Sequence, residues 1–256
     1  MFSKISLIAT CTALYVSTAV AHERAVEFPD TEDGSVVLAA DLHTHSVFSD
    51  GEVWPSIRVK EAHLDGLEVL AVTEHLEHQP HKADMPHPDR NRSYEIAEGV
   101  RADSEFDLMV INGAEVTRDM PYGHINAIFL SDANALLTEE PKQAMKAAKA
   151  QGAFVFLNHP NWLPHVSDGI ARLSDYHKDL IAEGLLQGIE VVNGTLDGHS
   201  EHALQIALDN NLTVMGTSDI HGLVDWTHNA GAGGHRPMTL VLASGRSEAA
   251  FKRALF

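Results

Sequence analysis

Val36-Val37-Leu38-Ala39-Ala40 runs straight into Asp41-Leu42-His43-Thr44-His45-Ser46-Val47-Phe48-Ser49-Asp50-Gly51. The first five residues form an unbroken apolar run, the pattern of a buried strand, and the two histidines stand where that strand ends. Alternate residues of an extended chain point to the same side. His43 and His45 can therefore reach one cation together, with Asp50 on the following turn as a nearby oxygen donor. In a chain with 17 histidines a single His-x-His is a weak sign. Its weight depends on whether other strand ends repeat it.

They do. Apolar runs at 67–73, 108–112, 153–157 and 212–217 end in Glu74-His75, Gly113-Ala114-Glu115, Asn158-His159-Pro160 and Ser218-Asp219-Ile220-His221, and Gly123-His124 opens a further run at 125–130. The run at 188–192 ends in Asn193-Gly194 and offers no ligand, and a last strand is expected at 238–242. Helices are expected between the strands. One runs over 55–65, with Pro55 in its first turn and Gly66 as its stop; others lie at 93–105, from Pro141 to a stop at Gly152, and at 174–183. A further helix is capped by Ser200 and has Ala203, Leu204, Ala207 and Leu208 as its apolar face, and a short one ends the chain. Seven strands alternating with helices, with short connections and no linker-like tract, predict a single barrel-like α/β domain over 36–256. An open doubly wound sheet is the alternative, but no Gly-x-Gly-x-x-Gly follows the first strand. In a parallel barrel the C-terminal strand ends meet on one face, which gathers ligands far apart in sequence.

Composition bounds the partners. The 256 residues are enough for a sizeable core, and the net charge of −18 with no basic block argues against a nucleic-acid polymer. Residues 1–21 have the pattern of a secretory signal, with Lys4, an apolar run at 5–16, and Ala19-Val20-Ala21 before the cut. The apolar run is too short for a transmembrane helix. The expectation is an exported protein, periplasmic or secreted, that starts at His22, continues through a polar leader at 22–35 and lacks the sole cysteine, Cys11. Imidazoles and carboxylates without thiolates suit zinc, manganese or iron.

The ordered set His-x-His-Ser-x-x-Ser-Asp-Gly, Thr-Glu-His, Asn-Gly-Ala-Glu-Val-Thr, Gly-His-Ile-Asn, Asn-His-Pro-Asn and Thr-Ser-Asp-Ile-His, over about residues 38–243, resembles the polymerase and histidinol phosphatase (PHP) family of metallohydrolases. The resemblance implies a distorted seven-stranded barrel with two or three divalent ions. It assigns His43, His45, Glu115 and Asp219 to one ion, Glu115, His124 and His159 to a second, and Asp50, His75 and His221 to a third. Two positions depart from the family pattern. Glu74 replaces an aspartate, a change expected to bear on the support of His75, and Asp50 stands where some members use histidine.

The implied activity is hydrolysis of a small phosphate mono- or diester by a metal-bound hydroxide, with Glu115, Asp219 and His221 as catalytic candidates. A carbamate or carboxylic ester hydrolase on the same site, and an inactive metal-binding domain, are the alternatives. Arg90, Arg92 and Arg236 are the candidates for gripping a phosphate, with Lys82 behind them. His78, His81 and His87 read as loop residues, and Trp162 and Trp226 either line the pocket or pack beneath its loops.

Overall fold

The computed structural model describes residues 25–29, 31–196 and 199–256. The expected signal segment at 1–21, with Cys11, and the expected mature start at His22 lie outside the described residues. Eight strands are found among them: β1 (Val36–Asp41), β2 (Val69–Val72), β3 (Met109–Thr117), β4 (His124–Ile128), β5 (Phe154–Leu157), β6 (Gly188–Asn193), β7 (Thr213–Thr217) and β8 (Thr239–Ala243). The helices between and after them are α1 (Pro55–Leu64), α2 (Arg92–Asp103), α3 (Pro141–Ala150), α4 (Asp175–Ala182), α5 (Glu201–Asn210), α6 (Val224–His228) and α7 (Glu248–Leu255). Local chemistry sets the helix starts. Proline opens α1 and α3, whose missing N–H would have no partner there anyway. Ser174, Ser200 and Ser247 accept backbone N–H groups at the starts of α4, α5 and α7.

The strands form one sheet in the order β7-β6-β5-β4-β3-β2-β1-β8. Pairing is parallel except around β4, which runs against both β3 and β5, and at β8, which runs against β1. The sheet closes in two places. At the end of β1, His45 N–H reaches the Ile220 carbonyl and Asp219 N–H reaches the His43 carbonyl, zipping β1 to the chain leaving β7. Farther back, Thr239 of β8 both accepts from Gly216 N–H and donates to the Gly216 carbonyl of β7. The result is the expected distorted barrel, with β8 as an antiparallel wedge.

Strand alternation divides the core. Leu38, Ala40 and Leu42 point inward with Ala71, Ile111, Phe156 and Met215, while Ala39 faces outward among the residues under α1 and α2. Ala250, Phe251 and Leu255 of α7 pack on the inward cluster together with Val36, near the strand starts, so α7 plugs the barrel floor and leaves the opposite mouth for the site. One expected helix face is half corrected. Ala203 and Ala207 are buried, but Leu204 and Leu208 are 37% and 67% exposed. Two small residues let α5 lie close on β6, and the leucines, each one residue further round the helix, turn about 100° away from that contact.

Candidate metal centre

β1 delivers His43 and His45, fully buried, at its mouth end. β2 delivers His75, which pairs with Glu115 of β3 in an isolated parallel bridge. His124 is the first residue of β4, yet it belongs to the same end, because an antiparallel strand starts where its neighbours finish. His159 and Asp219 follow β5 and β7 with φ of 26° and 50°. Left-handed backbone at non-glycine residues costs about 1–3 kcal/mol and is typical of sites whose surroundings hold it.

Glu115 is the hub. Its Oε2 lies 3.2 Å from His43 Nε2, 3.3 Å from His45 Nε2 and 2.9 Å from His75 Nδ1, while Oε1 lies 2.9 Å from His124 Nδ1 and 3.7 Å from His159 Nε2. Asp219 Oδ1 stands 3.2 Å from His43 Nε2 and 3.1 Å from His45 Nε2. Asp50 faces His75 at 3.4 Å and His221 at 3.2 Å. Donor atoms lie within 4.8 Å of one another in three overlapping groups: His43, His45 and Glu115; His75, Glu115 and His124; His45, Asp50, His75 and His221. The groups take in seven of the nine ligand candidates, with His45, His75 and Glu115 each shared between two, and Asp219 and His159 join them through His43, His45 and Glu115.

The donor atoms are oriented from behind. His43 Nδ1 donates to Glu190 at 2.6 Å, which leaves the Nε2 lone pair facing the cluster. His45 does the same through Ser49 at 3.2 Å, and Ser49 in turn donates to Glu74 at 2.5 Å. His221 Nδ1 donates to the Asp219 carbonyl at 2.8 Å. Glu74 does not support His75 directly. It accepts from Ser46 N–H and from the hydroxyls of Ser46, Ser49 and Ser93, so its longer arm ties down the loop after β1, while Thr117 lies 2.6 Å from His75.

Divalent cations fit this donor set. His45 Nε2, Glu115 Oε1, His124 Nδ1 and His159 Nδ1 are buried without a hydrogen-bond partner of acceptable geometry, a costly state unless something else engages them. Electrostatics agree. Burial alone would push His75 down, but the carboxylates of Glu115 and Asp50 hold its pKa up to about 10. Burial would raise Glu115 and Asp219, yet the surrounding histidines hold both well below the usual carboxylate range. The site keeps its carboxylates ionised and draws positive charge, which bound cations would supply while freeing the imidazole lone pairs.

The cluster opens into a cavity of about 560 Å³, walled by Trp162, Pro164, His165, Thr195 and Asp119. Burial, with His124 and His159 close by, pushes His165 down to about 4. His78 sits at the rim, 3.9 Å from Asp50 and exposed. The expected phosphate grips are elsewhere. Arg236 is fully buried between Asp41 at 3.1 Å and Asp65 at 2.8 Å, Arg92 pairs with Glu95 on α2, and Arg90 donates to the His87 carbonyl. Lys82 is exposed and Trp226 is 80% exposed, and neither lines the cavity.

Glu190 and Arg58 escaped the sequence reading. Glu190 accepts from His43, Thr217, Asn193 and the His159 N–H. A glutamate inside the apolar run of β6 was the available signal, since a buried carboxylate needs partners. Arg58 of α1 donates to the carbonyls of His45, Ile220 and His221, holding two ligand-bearing segments together. Nothing in the local pattern of α1 points to that role.

A model of the PHP domain matches residues 41–231. None of the curated proteins matches significantly. Among solved structures, a two-domain protein from Bacteroides vulgatus containing a predicted PHP-like metal-dependent phosphoesterase is 44% identical over 90% of the chain, with a TM-score of 0.85. The chain spans 65% of that protein's length. An amidohydrolase from Chromobacterium violaceum (16% identity, 72% of this chain and 87% of that one, TM-score 0.50) shares the fold. So does a lesion-specific endonuclease from Pyrococcus furiosus (15% identity, 86% and 56%, TM-score 0.53). The domain match spans all nine candidate ligands, the 44% relative superposes over nearly the whole chain, and on both grounds the chain belongs to the PHP domain family.

Proposed function

We propose that the chain is a metal-dependent phosphoesterase that hydrolyses small organic phosphate mono- or diesters. The observation that supports this best is the two-sided use of Glu115, whose Oε2 faces His43, His45 and His75 and whose Oε1 faces His124 and His159. A carboxylate so placed suits a bridge between ions. Divalent cations bound there supply Lewis acidity to phosphoryl oxygens and acidify water. His43, His45, Asp50, His75, His124, His159, Asp219 and His221 complete the ligand set in this reading. Asp219 and His221 also line the cavity, and they are the acid–base candidates. The relative from Bacteroides vulgatus points to the same chemistry.

Export belongs to the same proposal and rests on the signal pattern of residues 1–21. N-terminal sequencing of protein from a periplasmic or culture fraction should begin at His22, and retention of Met1 would overturn it. The activity is tested by loading purified protein with zinc or manganese, counting ions by mass spectrometry, and offering a chromogenic monoester, diester and naphthyl ester. Release from a phosphate ester with at least two ions per chain is expected. Release from the naphthyl ester alone, or from none with ions bound, would refute it.

A further inference from the structure

The wall of the cavity differs from what a dianionic substrate requires. Among the described residues that line it there is no lysine or arginine, and beyond the ligand candidates Asp50 and Asp219 it carries the carboxylate of Asp119. The cation nearest in sequence, Arg118, turns away to Glu77 at 2.9 Å and to the Thr138 carbonyl at 2.6 Å. Of the expected grips, Arg236 is buried inside the Asp41 and Asp65 pair, and Arg90 and Arg92, held to the His87 carbonyl and to Glu95, do not line the cavity. Away from the cluster, whose ions would take up the charge of the ligand carboxylates, the extra charge of a dianionic monoester would meet Asp119 and no side-chain cation.

The same wall is well made for an uncharged planar group. Trp162 packs edge-on to His159 with ring centroids 5.3 Å apart and tilted against His124 at 5.5 Å, and His165 stands edge-to-face with the indole at 4.7 Å. Pro164 extends this apolar side outward. The cavity, at about 560 Å³, falls within the range of sites for organic ligands and leaves room beside the phosphoryl group.

Resting on the phosphoesterase reading above, we infer that the preferred substrate is a monoanionic phosphodiester, one of whose ester groups is a flat aromatic or heteroaromatic unit seated against Trp162 and Pro164. Hydrolysis adds the oxygen of water to phosphorus and breaks one phosphorus–oxygen ester bond. The departing alcohol or phenol takes one proton of the water, and a monoester remains. That product has one more ionisable oxygen than the substrate, and a wall that carries Asp119 and no lysine or arginine disfavours its retention.

The test uses the full metal-loaded protein, with kcat/KM measured for bis(p-nitrophenyl) phosphate and p-nitrophenyl phosphate, and inhibition measured with phenylphosphonate and its monoethyl ester. The diester and the monoethyl phosphonate should be favoured over their dianionic counterparts. Trp162→Ala should raise KM for the diester by roughly two- to tenfold, the range set by aromatic contact energies, with kcat and ion count little changed. Asp119→Lys should move the ratio toward the monoester. Preference for the monoester and for phenylphosphonate would overturn the inference while leaving the phosphoesterase reading intact. An unchanged KM in Trp162→Ala would overturn the aromatic subsite. Turnover of neither ester by protein with ions bound would defeat the phosphoesterase reading itself, and the inference with it.

Discussion

Replacing Glu190 by glutamine preserves the shape of the side chain and removes its charge. In the native site Oε1 accepts from His43 Nδ1 and the Thr217 hydroxyl, both at 2.6 Å, and Oε2 accepts from His159 N–H at 2.6 Å and the Asn193 amide at 2.9 Å. Four donors converge on two oxygens, and a glutamine has one oxygen. Whichever way the amide turns, two donors meet an NH2 group. Hydrogen bonds to a charged acceptor are worth about 1.5–3 kcal/mol each, so the loss is about 3–6 kcal/mol, divided between fold stability and the cation site. On the site, His43 loses the acceptor that fixes its tautomer and keeps the Nε2 lone pair facing Glu115 and Asp219. Metal affinity should fall by roughly 10–100-fold, the usual effect of removing such a support. The assay is competition for zinc against a chromogenic chelator, run beside thermal melts of the metal-free proteins. A folded Glu190→Gln variant that binds zinc within about twofold of wild type would refute the view that Glu190 orients His43.

Three further outcomes are expected. Glu115→Gln should lower activity by orders of magnitude and reduce bound ions per chain, read by turnover and by mass spectrometry; near-normal turnover would show that Glu115 is not the bridge. Arg58→Met takes the guanidinium away from Glu61 and from the carbonyls of His45, Ile220 and His221, and it should cost about 3–5 kcal/mol by chemical denaturation, with Arg58→Lys recovering only part because an ammonium cannot reproduce the fork. His177, its pKa lowered from 6.5 by burial, is neutral in the fold and accepts from Ser174 N–H while donating to the Tyr122 carbonyl. A depressed histidine contributes stability above its unfolded value and loses it as pH falls below about 6.5, so the melting-temperature gap between wild type and His177→Gln should narrow from about pH 7 to about pH 5. A constant gap would contradict the assignment.

By itself the sequence determined the barrel and the nine candidate ligands. Both follow from local patterns, because apolar runs announce strands, and the residues just past them must share one face when the strands run parallel. His124 was the informative exception. It begins its strand, and only the reversed direction of β4 explains why it joins the others. Leu204 and Leu208 show the limit of periodicity, since which stripe of α5 is buried depends on how closely β6 can be approached.

The tertiary structure decided everything that depends on pairing between distant segments. Arg236 read as a phosphate grip because a basic residue near a ligand motif is locally free. In the fold it is buried between Asp41 and Asp65, which lie 195 and 171 residues earlier in the chain. Glu190 and Arg58 gained their roles the same way, through partners that only barrel closure brings within hydrogen-bond distance. The sequence named the donors because their positions follow from strand periodicity. Which donors are oriented, which charges are already neutralised, and hence what the cavity can hold, depend on distances that no local pattern encodes.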